Sequence, residues 1–273
     1  MTYLVHIEMT NTELEVLLNK NNHNTNNFYS SSIHYLQPLS LQWRIIHAVS
    51  YLIGGLTFVT GSCYYLPVMQ NYIYGSWLFT IGSAAFFYAD LNEWWKNNRV
   101  GCLFDDDYRA LFESQVGCYM APQETVLGVF QRAENGLNFA FSAFGSFLYL
   151  IGSILFIPSL DSLTLGTEVF IVGSIVIFLS QMWKIYRIGC TDETNADSKV
   201  FICENLMNDT PALGVDLNAG LGGFAYFIGS ILFLPSIGQY EEAANWFVFG
   251  GLLFSLSGMF LIYRYFCTNN YPN

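Results

Sequence analysis

The stretch YLIGSILFIPS, at residues 149–159, decides the fold, and it recurs almost unchanged as YFIGSILFLPS at residues 226–236. Each copy ends an apolar run of about 20 residues, the length of helix that crosses the hydrocarbon core of a bilayer. The proline falls where such a helix leaves the membrane and the chain must turn. We therefore interpret each copy as the exit of a transmembrane helix.

Six apolar runs of this kind follow one another along the 273 residues. Hydrophobic residues make up 53% of the chain and charged residues 11%, against about 25% charged residues in a soluble domain. The runs are continuous, whereas the strands of a membrane β-barrel alternate apolar and polar residues. The sequence thus predicts an all-α, polytopic membrane protein. Its predicted spans are residues 43–66, 72–94, 137–157, 164–186, 216–236 and 243–265.

The spans form three copies of one helical hairpin, because the pattern G-x6-G-S-x4-P-x7-[GA]-x6-G-[SG] occurs three times without a gap. Glycines seven residues apart lie on one helix face and let a neighbouring backbone approach closely. We interpret the pattern as a packing motif, and the alternative, that these glycines line a pore or a ligand site, stays open. Its positions are Gly54, Gly61, Ser62, Pro67, Gly75, Gly82 and Ser83; Gly145, Gly152, Ser153, Pro158, Gly166, Gly173 and Ser174; and Gly222, Gly229, Ser230, Pro235, Ala243, Gly250 and Gly251.

The basic residues predict the orientation of the hairpins. None of the ten Lys and Arg residues lies in the turns 67–74, 158–165 or 236–242. Basic residues mark the cytoplasmic side, so both termini and both long loops are predicted to be cytoplasmic. The hairpins are then parallel, related by a pseudo-threefold axis if they pack as a ring, and inverted repeats are excluded. The predicted segments are a polar, Asn-rich segment 1–42, hairpin 43–96, loop 97–136, hairpin 137–187, loop 188–214, hairpin 215–266 and tail 267–273.

The Gly-Ser hairpins resemble the YrhK-like domain, a two-helix membrane domain. The residues that carry the resemblance are the two stretches quoted above and FIVGSIVIF at residues 170–178. It implies three tandem copies, over roughly 43–96, 137–187 and 215–264, and it implies no catalytic or ligand-binding residue. The first copy departs most from the pattern, with Thr60, Cys63 and Tyr64 where the other two copies have Ile/Leu/Phe-rich surroundings.

Five of the six cysteines lie on the predicted cytoplasmic face: Cys102, Cys118, Cys190, Cys203 and Cys267. Free or lipidated thiols fit this face best, since juxtamembrane cysteines are palmitoylation targets. Disulfides Cys102–Cys118 and Cys190–Cys203 fit an inverted topology. A four-thiolate zinc site lacks its usual closely spaced C-x2-C pairs, so we predict no metal.

Ionisable side chains within the spans are few: His47, Asp90, Glu93, Glu168 and Asp216. Each lies within about two turns of a predicted helix end, where it is expected to reach headgroups or water. Glu168 is the candidate ion or proton site, because it lies near the start of the fourth predicted span, where the other two copies have Trp77 and Asn245.

No metalloprotease, nucleophile-elbow, Walker or Rossmann motif occurs, so no catalytic residue and no cofactor are predicted, and the chain is expected not to be an enzyme. No basic patch for nucleic acid is present. The first hypothesis is a structural or assembly component whose partners are the bilayer and another membrane protein or a second copy. The second is a channel or transporter along the pseudo-threefold axis, with Ser62, Ser153 and Ser230 as its lining.

Overall fold

The computed structural model describes residues 41–97, 126–190, 201–207 and 209–268, all within one compact unit, Leu39–Asn273. The N-terminal segment before residue 41, most of the loop 97–136 with Cys102 and Cys118, and the tail after residue 268 lie outside the described residues.

In the described part of the chain, six α-helices pair into the three predicted hairpins. They are α1 (Leu41–Cys63), α2 (Tyr72–Asn97), α3 (Val126–Leu155), α4 (Leu163–Gly189), α5 (Thr210–Phe233) and α6 (Tyr240–Phe266). Two short 3-10 segments, Pro158–Leu160 and Cys203–Met207, lie between helices. No strand occurs in the part of the chain that is described, so the all-α prediction is confirmed.

Five helices are long and apolar enough to cross a membrane, namely α1, α3, α4, α5 and α6. The chain is therefore a polytopic membrane protein. Helix α2, predicted as a span over 72–94, is long enough but is not among the five. Its Tyr, Trp, Ser and Asn side chains lower its mean hydropathy below that of the other five helices. The prediction of six spans is thus supported by length and hydropathy for five helices.

Two helices begin well before their predicted spans, whereas the other four begin within three residues of the predicted starts. Helix α3 starts at Val126, inside the predicted loop 97–136, because the polar segment after it contains good helix formers and no proline. Helix α5 starts at Thr210, where the Asp209 side chain accepts a hydrogen bond from the Ala212 N–H at 3.1 Å. Hydropathy locates the bilayer part of a helix and not its polar extension.

The three turns between paired helices use the same backbone device. Gln70, Asp161 and Gly238 each have a positive φ, of 44°, 49° and 70°, and each follows its Gly-Ser glycine by nine residues. Only glycine adopts this conformation without steric cost, so the first two turns carry local strain that the third avoids. The shared device supports the interpretation of the hairpins as repeats.

The helices close into a ring. Each helix packs against its neighbours in sequence, and α6 returns to pack extensively against α1. Small residues permit the close approach within each hairpin: a Cβ added at Gly61 would lie 3.2 Å from the Gly75 oxygen. The same distance separates a Cβ on Gly152 from the Gly166 oxygen. In the third hairpin the Ala243 oxygen would lie 3.1 Å from a Cβ on Gly229.

Aromatic rings fill the space inside the ring of helices. Phe58, Tyr149 and Tyr226, one from each hairpin and each three residues before its Gly-Ser glycine, are fully buried. Their ring centroids lie 5.2 to 6.0 Å from one another. Phe79, whose ring centroid is 6.2 Å from those of Phe170 and of Phe247, continues the core in a second set of equivalent rings. We call these six rings the axial core.

Candidate functional site

The three serines predicted to line a transport path are fully buried beside the axial core. Ser62 Oγ donates to the Phe58 oxygen at 2.6 Å and lies 3.0 Å from the Tyr226 hydroxyl. Ser153 Oγ donates to the Tyr149 oxygen and lies 2.7 Å from Ser83 Oγ. Ser230 Oγ is buried without a hydrogen-bond partner. Ser62 and Ser153 therefore contact helix carbonyls and neighbouring hydroxyl groups.

The glycines of the packing motif lie at helix contacts, both within and between hairpins. A Cβ on Gly251 would approach the Val59 nitrogen to 2.7 Å, so glycine sets the distance between α6 and α1. A Cβ on Gly82 would overlap the Phe58 ring at 2.5 Å. These contacts support the interpretation of the glycines as a packing motif.

Beyond the axial core, towards the end of the bundle where α1 and α5 begin and α2, α4 and α6 end, the structure brings together ionisable side chains from all three hairpins. Asp90 and Glu93 come from α2, Lys184 from α4 and Asp216 from α5. Asp90 and Asp216 are only 3% and 9% exposed. We call these four residues the carboxylate cluster. The expectation that Asp90 and Asp216 reach headgroups or water was wrong, because the closed ring of helices turns them inward.

Lys184 is the cation of the carboxylate cluster. Its Nζ lies 3.1 Å from Glu93 Oε2, and its charge also interacts with those of Asp216 and Asp90. An ion pair is strongly coupled where water is scarce, since a buried charge without its partner is costly. The pair joins α2 to α4, so it links the first hairpin to the second.

Asp90 is held by hydroxyl groups of α3. Ser142 Oγ donates to Asp90 Oδ1 at 3.3 Å, and Ser146 Oγ donates to Asp90 Oδ2. Gln181 Nε2 donates to Ser142 Oγ at 3.3 Å and extends the network to α4. Gln181 is 1% exposed, and its Oε1 has no hydrogen-bond partner. The interface of the first two hairpins thus contains a continuous buried polar network.

Three further polar contacts tie α6 to its neighbours at the same end. Arg44 Nη1 donates to the Tyr265 oxygen at 3.1 Å, and His47 Nδ1 lies 3.0 Å from the Tyr265 hydroxyl. Arg264 Nη2 lies 2.6 Å from Asp209 Oδ2, which joins α6 to the start of α5. His47 is 3% exposed, so the expectation that it reaches water was also wrong. Arg44 and Arg264, two of the basic residues used above to predict orientation, therefore also hold helices together at this end of the bundle.

At the opposite end, the turns surround a cavity of about 370 Å³. We call it the turn-end pocket. Its lining repeats around the axis, because each hairpin contributes an aromatic residue four positions after its Gly-Ser glycine and the first residue of its second helix. These residues are Tyr65, Phe156 and Phe233, and Tyr72, Leu163 and Tyr240. The second hairpin also contributes Leu155, Ile157, Pro158, Asp161 and Ser162 to the lining.

Glu168, the predicted ion or proton site, is exposed and lies one turn into α4. The structure does not bring it into the turn-end pocket or the carboxylate cluster. Cys190, Cys203 and Cys267 are free thiols, as is Cys63, so the structure contains no Cys190–Cys203 disulfide. Within the described ranges, no group of three or more His, Cys, Asp and Glu side chains is arranged to hold a metal ion.

Neither the carboxylate cluster nor the turn-end pocket was predicted from the sequence. Each ionisable side chain was considered on its own helix, and the carboxylate cluster exists only once three hairpins pack together. The turn-end pocket did have a signal, because an aromatic residue follows each Gly-Ser glycine by four positions. This aromatic position belongs to the sequence repeat, and its role became clear only in the structure, where the three turns meet around one axis.

Comparison with known families identifies the first hairpin. Residues 42–90, which comprise α1 and most of α2, match the family model of the YrhK-like protein. This confirms the predicted resemblance for the copy that was expected to depart most from it. The second and third hairpins lie outside the matched residues, so three tandem YrhK-like domains stay a prediction. No match was found among curated proteins or solved structures.

Proposed function

We propose that this chain is a non-enzymatic membrane protein that acts as a structural or assembly component of the bilayer. The axial core carries this proposal. Three mutually contacting rings, Phe58, Tyr149 and Tyr226, occupy the centre of the helix ring and are fully buried. Close-packed aromatic side chains leave no room for a hydrated path, and their burial stabilises a rigid bundle.

The outer surface supports a role in contacting other membrane components. Large apolar side chains such as Ile81, Val172 and Phe249 are about half exposed on different helices. Such a surface suits the lipid bilayer, and it also suits another membrane protein or a second copy of the chain. The proposed partners are therefore found within the membrane, and no cofactor is part of the proposal.

A flux measurement tests this role. The purified chain is reconstituted in liposomes with an internal pH dye, and release of a proton gradient is recorded with a pore-forming peptide as the positive control. The proposal expects the wild type to match protein-free liposomes. The molar mass of the chain in nanodiscs, measured by light scattering, then reports self-association. Gradient collapse well above the protein-free rate would contradict the structural role.

A second candidate function, transport of a small solute or ion, is favoured by the carboxylate cluster. Ionisable groups inside a membrane bundle are costly and commonly mark ion or proton pathways. Here the second candidate predicts flux that Asp90→Asn abolishes, whereas the exposed Glu168→Gln leaves it unchanged. If neither variant alters a flux indistinguishable from background, the structural role is favoured.

We further propose that both termini face the cytoplasm. Val68, in the first turn, is 95% exposed, and Cys267, after α6, is also exposed. In a background lacking the other cysteines, a membrane-impermeant maleimide is added to intact cells that carry the chain at the plasma membrane. The proposal expects labelling of Val68→Cys and protection of Cys267 until the cells are opened. The reverse pattern would overturn the orientation.

A further inference from the structure

We propose that the turn-end pocket binds a small organic ammonium ion, held by five aromatic side chains from three hairpins and by the carboxylate of Asp161. The proposal is independent of the structural role above, because it concerns a site that opens at the turns and needs no path through the bundle. It rests on the shape of the cavity, the chemistry of its lining and the charge of its surroundings.

The floor of the pocket is a triangle of aromatic rings. Tyr65, Phe156 and Phe233 are at most 4% exposed, and each comes from a different hairpin. The Tyr65 ring centroid lies 5.6 Å from that of Phe233 and 6.4 Å from that of Phe156, and the latter two centroids are 6.0 Å apart. Ring faces and edges fixed in this way form a rigid base that needs no rearrangement to receive a ligand.

The rim of the pocket departs from threefold symmetry in a way that suits a cation. In the first and third hairpins the rim residue is tyrosine. The ring centroid of Tyr72 lies 5.3 Å from that of Tyr65, and the ring centroid of Tyr240 lies 5.2 Å from that of Phe233. In the second hairpin the equivalent residue is Leu163, and Asp161 lies beside it. A bound ligand would thus meet aromatic rings on two sides and, on the third, an apolar wall that carries one acidic residue, Asp161.

Aromatic lining with one carboxylate selects for an organic cation. The face of an aromatic ring attracts cations, and several rings around one site form the cage that recognises quaternary ammonium groups. A metal ion would need several oxygen ligands, and Asp161 is the one carboxylate that lines the pocket. A neutral apolar ligand would leave that carboxylate without a role.

The charge around the pocket favours the same ligand. Segments 64–78, 156–170 and 233–247, which surround the turns, contain Asp161, Glu168, Glu241 and Glu242 and no Lys, Arg or His. This face therefore attracts cations and repels anions. The cavity of about 370 Å³ falls within the range of about 300–1,000 Å³ for small-molecule sites, at its lower end.

Choline and its uncharged isostere 3,3-dimethylbutan-1-ol test the proposal, because they have nearly the same shape and differ in charge. Binding to the full chain, purified in a maltoside detergent, is measured by calorimetry. We expect choline to bind at least tenfold more tightly than the alcohol. Equal affinity for both would show an apolar pocket and overturn the proposal, as would no choline binding.

Variants locate the site. Asp161→Asn and Tyr240→Leu are each expected to weaken choline binding by fivefold or more. Their matched controls, Glu242→Gln and Tyr74→Leu, change an acid and a tyrosine near the same turns that do not line the pocket, and they are expected to retain wild-type affinity. Unchanged binding in both pocket variants, or equal losses in the controls, would overturn the assignment.

The source of the ammonium group is distinguished by competition. A short-chain phosphatidylcholine that displaces choline more effectively than choline displaces itself indicates a lipid headgroup. Displacement by free quaternary amines alone indicates a soluble ligand. The matching phosphatidylglycerol is the control in both arms, and displacement by it to the same extent would contradict recognition of an ammonium group.

Discussion

The two ends of the bundle axis are built from different chemistry, although the same three hairpins form both. The turn end consists of aromatic rings at equivalent repeat positions, with one carboxylate at its rim. The opposite end, where α2, α4 and α6 end, holds Asp90, Glu93, Lys184 and Asp216. The repeat is broken there, because the position of Asp90 is occupied by Gln181 in the second hairpin and by Gly258 in the third. Packing residues repeat, whereas each charge of the carboxylate cluster is specific to one hairpin.

The three hairpins are alike in their packing residues and differ from one another in their buried polar residues. Near-equivalent hairpins give a symmetrical core, and such a core by itself leaves the order of the hairpins around the ring underdetermined. Buried polar groups that differ between hairpins fix which neighbours pair, as single buried polar residues fix register in other helical assemblies. The carboxylate cluster therefore supplies specificity, and the aromatic residues supply most of the packing.

The largest expected effect comes from removing the cation of the carboxylate cluster. Lys184→Met leaves Glu93 and its neighbouring carboxylates without their ammonium partner. Because the Lys184 and Glu93 side chains are 11% and 24% exposed, we expect a loss of about 3 kcal/mol, at the lower end of the range for a buried pair. The free energy of unfolding is measured by denaturing titration in detergent. The double variant Lys184→Met/Glu93→Gln should be more stable than Lys184→Met alone. Equal stability of wild type and Lys184→Met would show that the cluster contributes little.

A smaller loss is expected at Asp90. Asp90→Ala removes the acceptor of the Ser142 and Ser146 hydroxyl groups and lowers stability by about 1–3 kcal/mol. Asp90→Asn keeps one acceptor oxygen and should lose less. The same titration compares the two variants, and a greater loss in Asp90→Asn than in Asp90→Ala would refute the hydrogen-bonding account.

At the turn end, one hydroxyl group can be removed without disturbing the aromatic floor. Tyr65→Phe abolishes the contact of 2.9 Å between the Tyr65 hydroxyl and Ser76 Oγ, while the ring stays in place. We expect a loss of about 1 kcal/mol, typical of one hydrogen bond. Thermal unfolding followed by tryptophan fluorescence measures it, and a loss as large as that of Lys184→Met would mean that the two ends do not differ as described.

The smallest effect is expected for the partly exposed ion pair between Asp209 and Arg264, whose side chains are 29% and 28% exposed. Asp209→Asn removes the charge and keeps an oxygen that can cap α5, so it isolates the ion pair. The expected change is below about 1 kcal/mol. Thermal unfolding at low and high salt checks this, since only the wild type should lose the contribution of the pair at high salt.

Much of the fold was readable from local pattern. Apolar runs, the Gly-Ser pairs and the prolines located three hairpins, and every predicted span lies on a helix of the structure. The polar extension of α3 to Val126 could not be read from hydropathy, which reports on the bilayer. Nor does hydropathy support α2 as a span, because its tyrosines and serines lie among apolar residues.

The sites were harder to predict, because they form between hairpins. His47 and Asp216 lie near helix ends, which suggested contact with water, yet both are buried once neighbouring hairpins close around them. The turn-end pocket needs Tyr65, Phe156 and Phe233 to meet across the axis. The sequence shows residue types and their spacing. It does not show which side of each hairpin packs against the other two.

The most direct test of the central claim is an electron cryo-microscopy map of the chain in lipid nanodiscs at a resolution that shows aromatic side chains. We expect density for the rings of Phe58, Tyr149 and Tyr226 in mutual contact on the axis, with α6 packed against α1. A continuous water-filled channel along that axis, or an open ring with α1 and α6 apart, would contradict it.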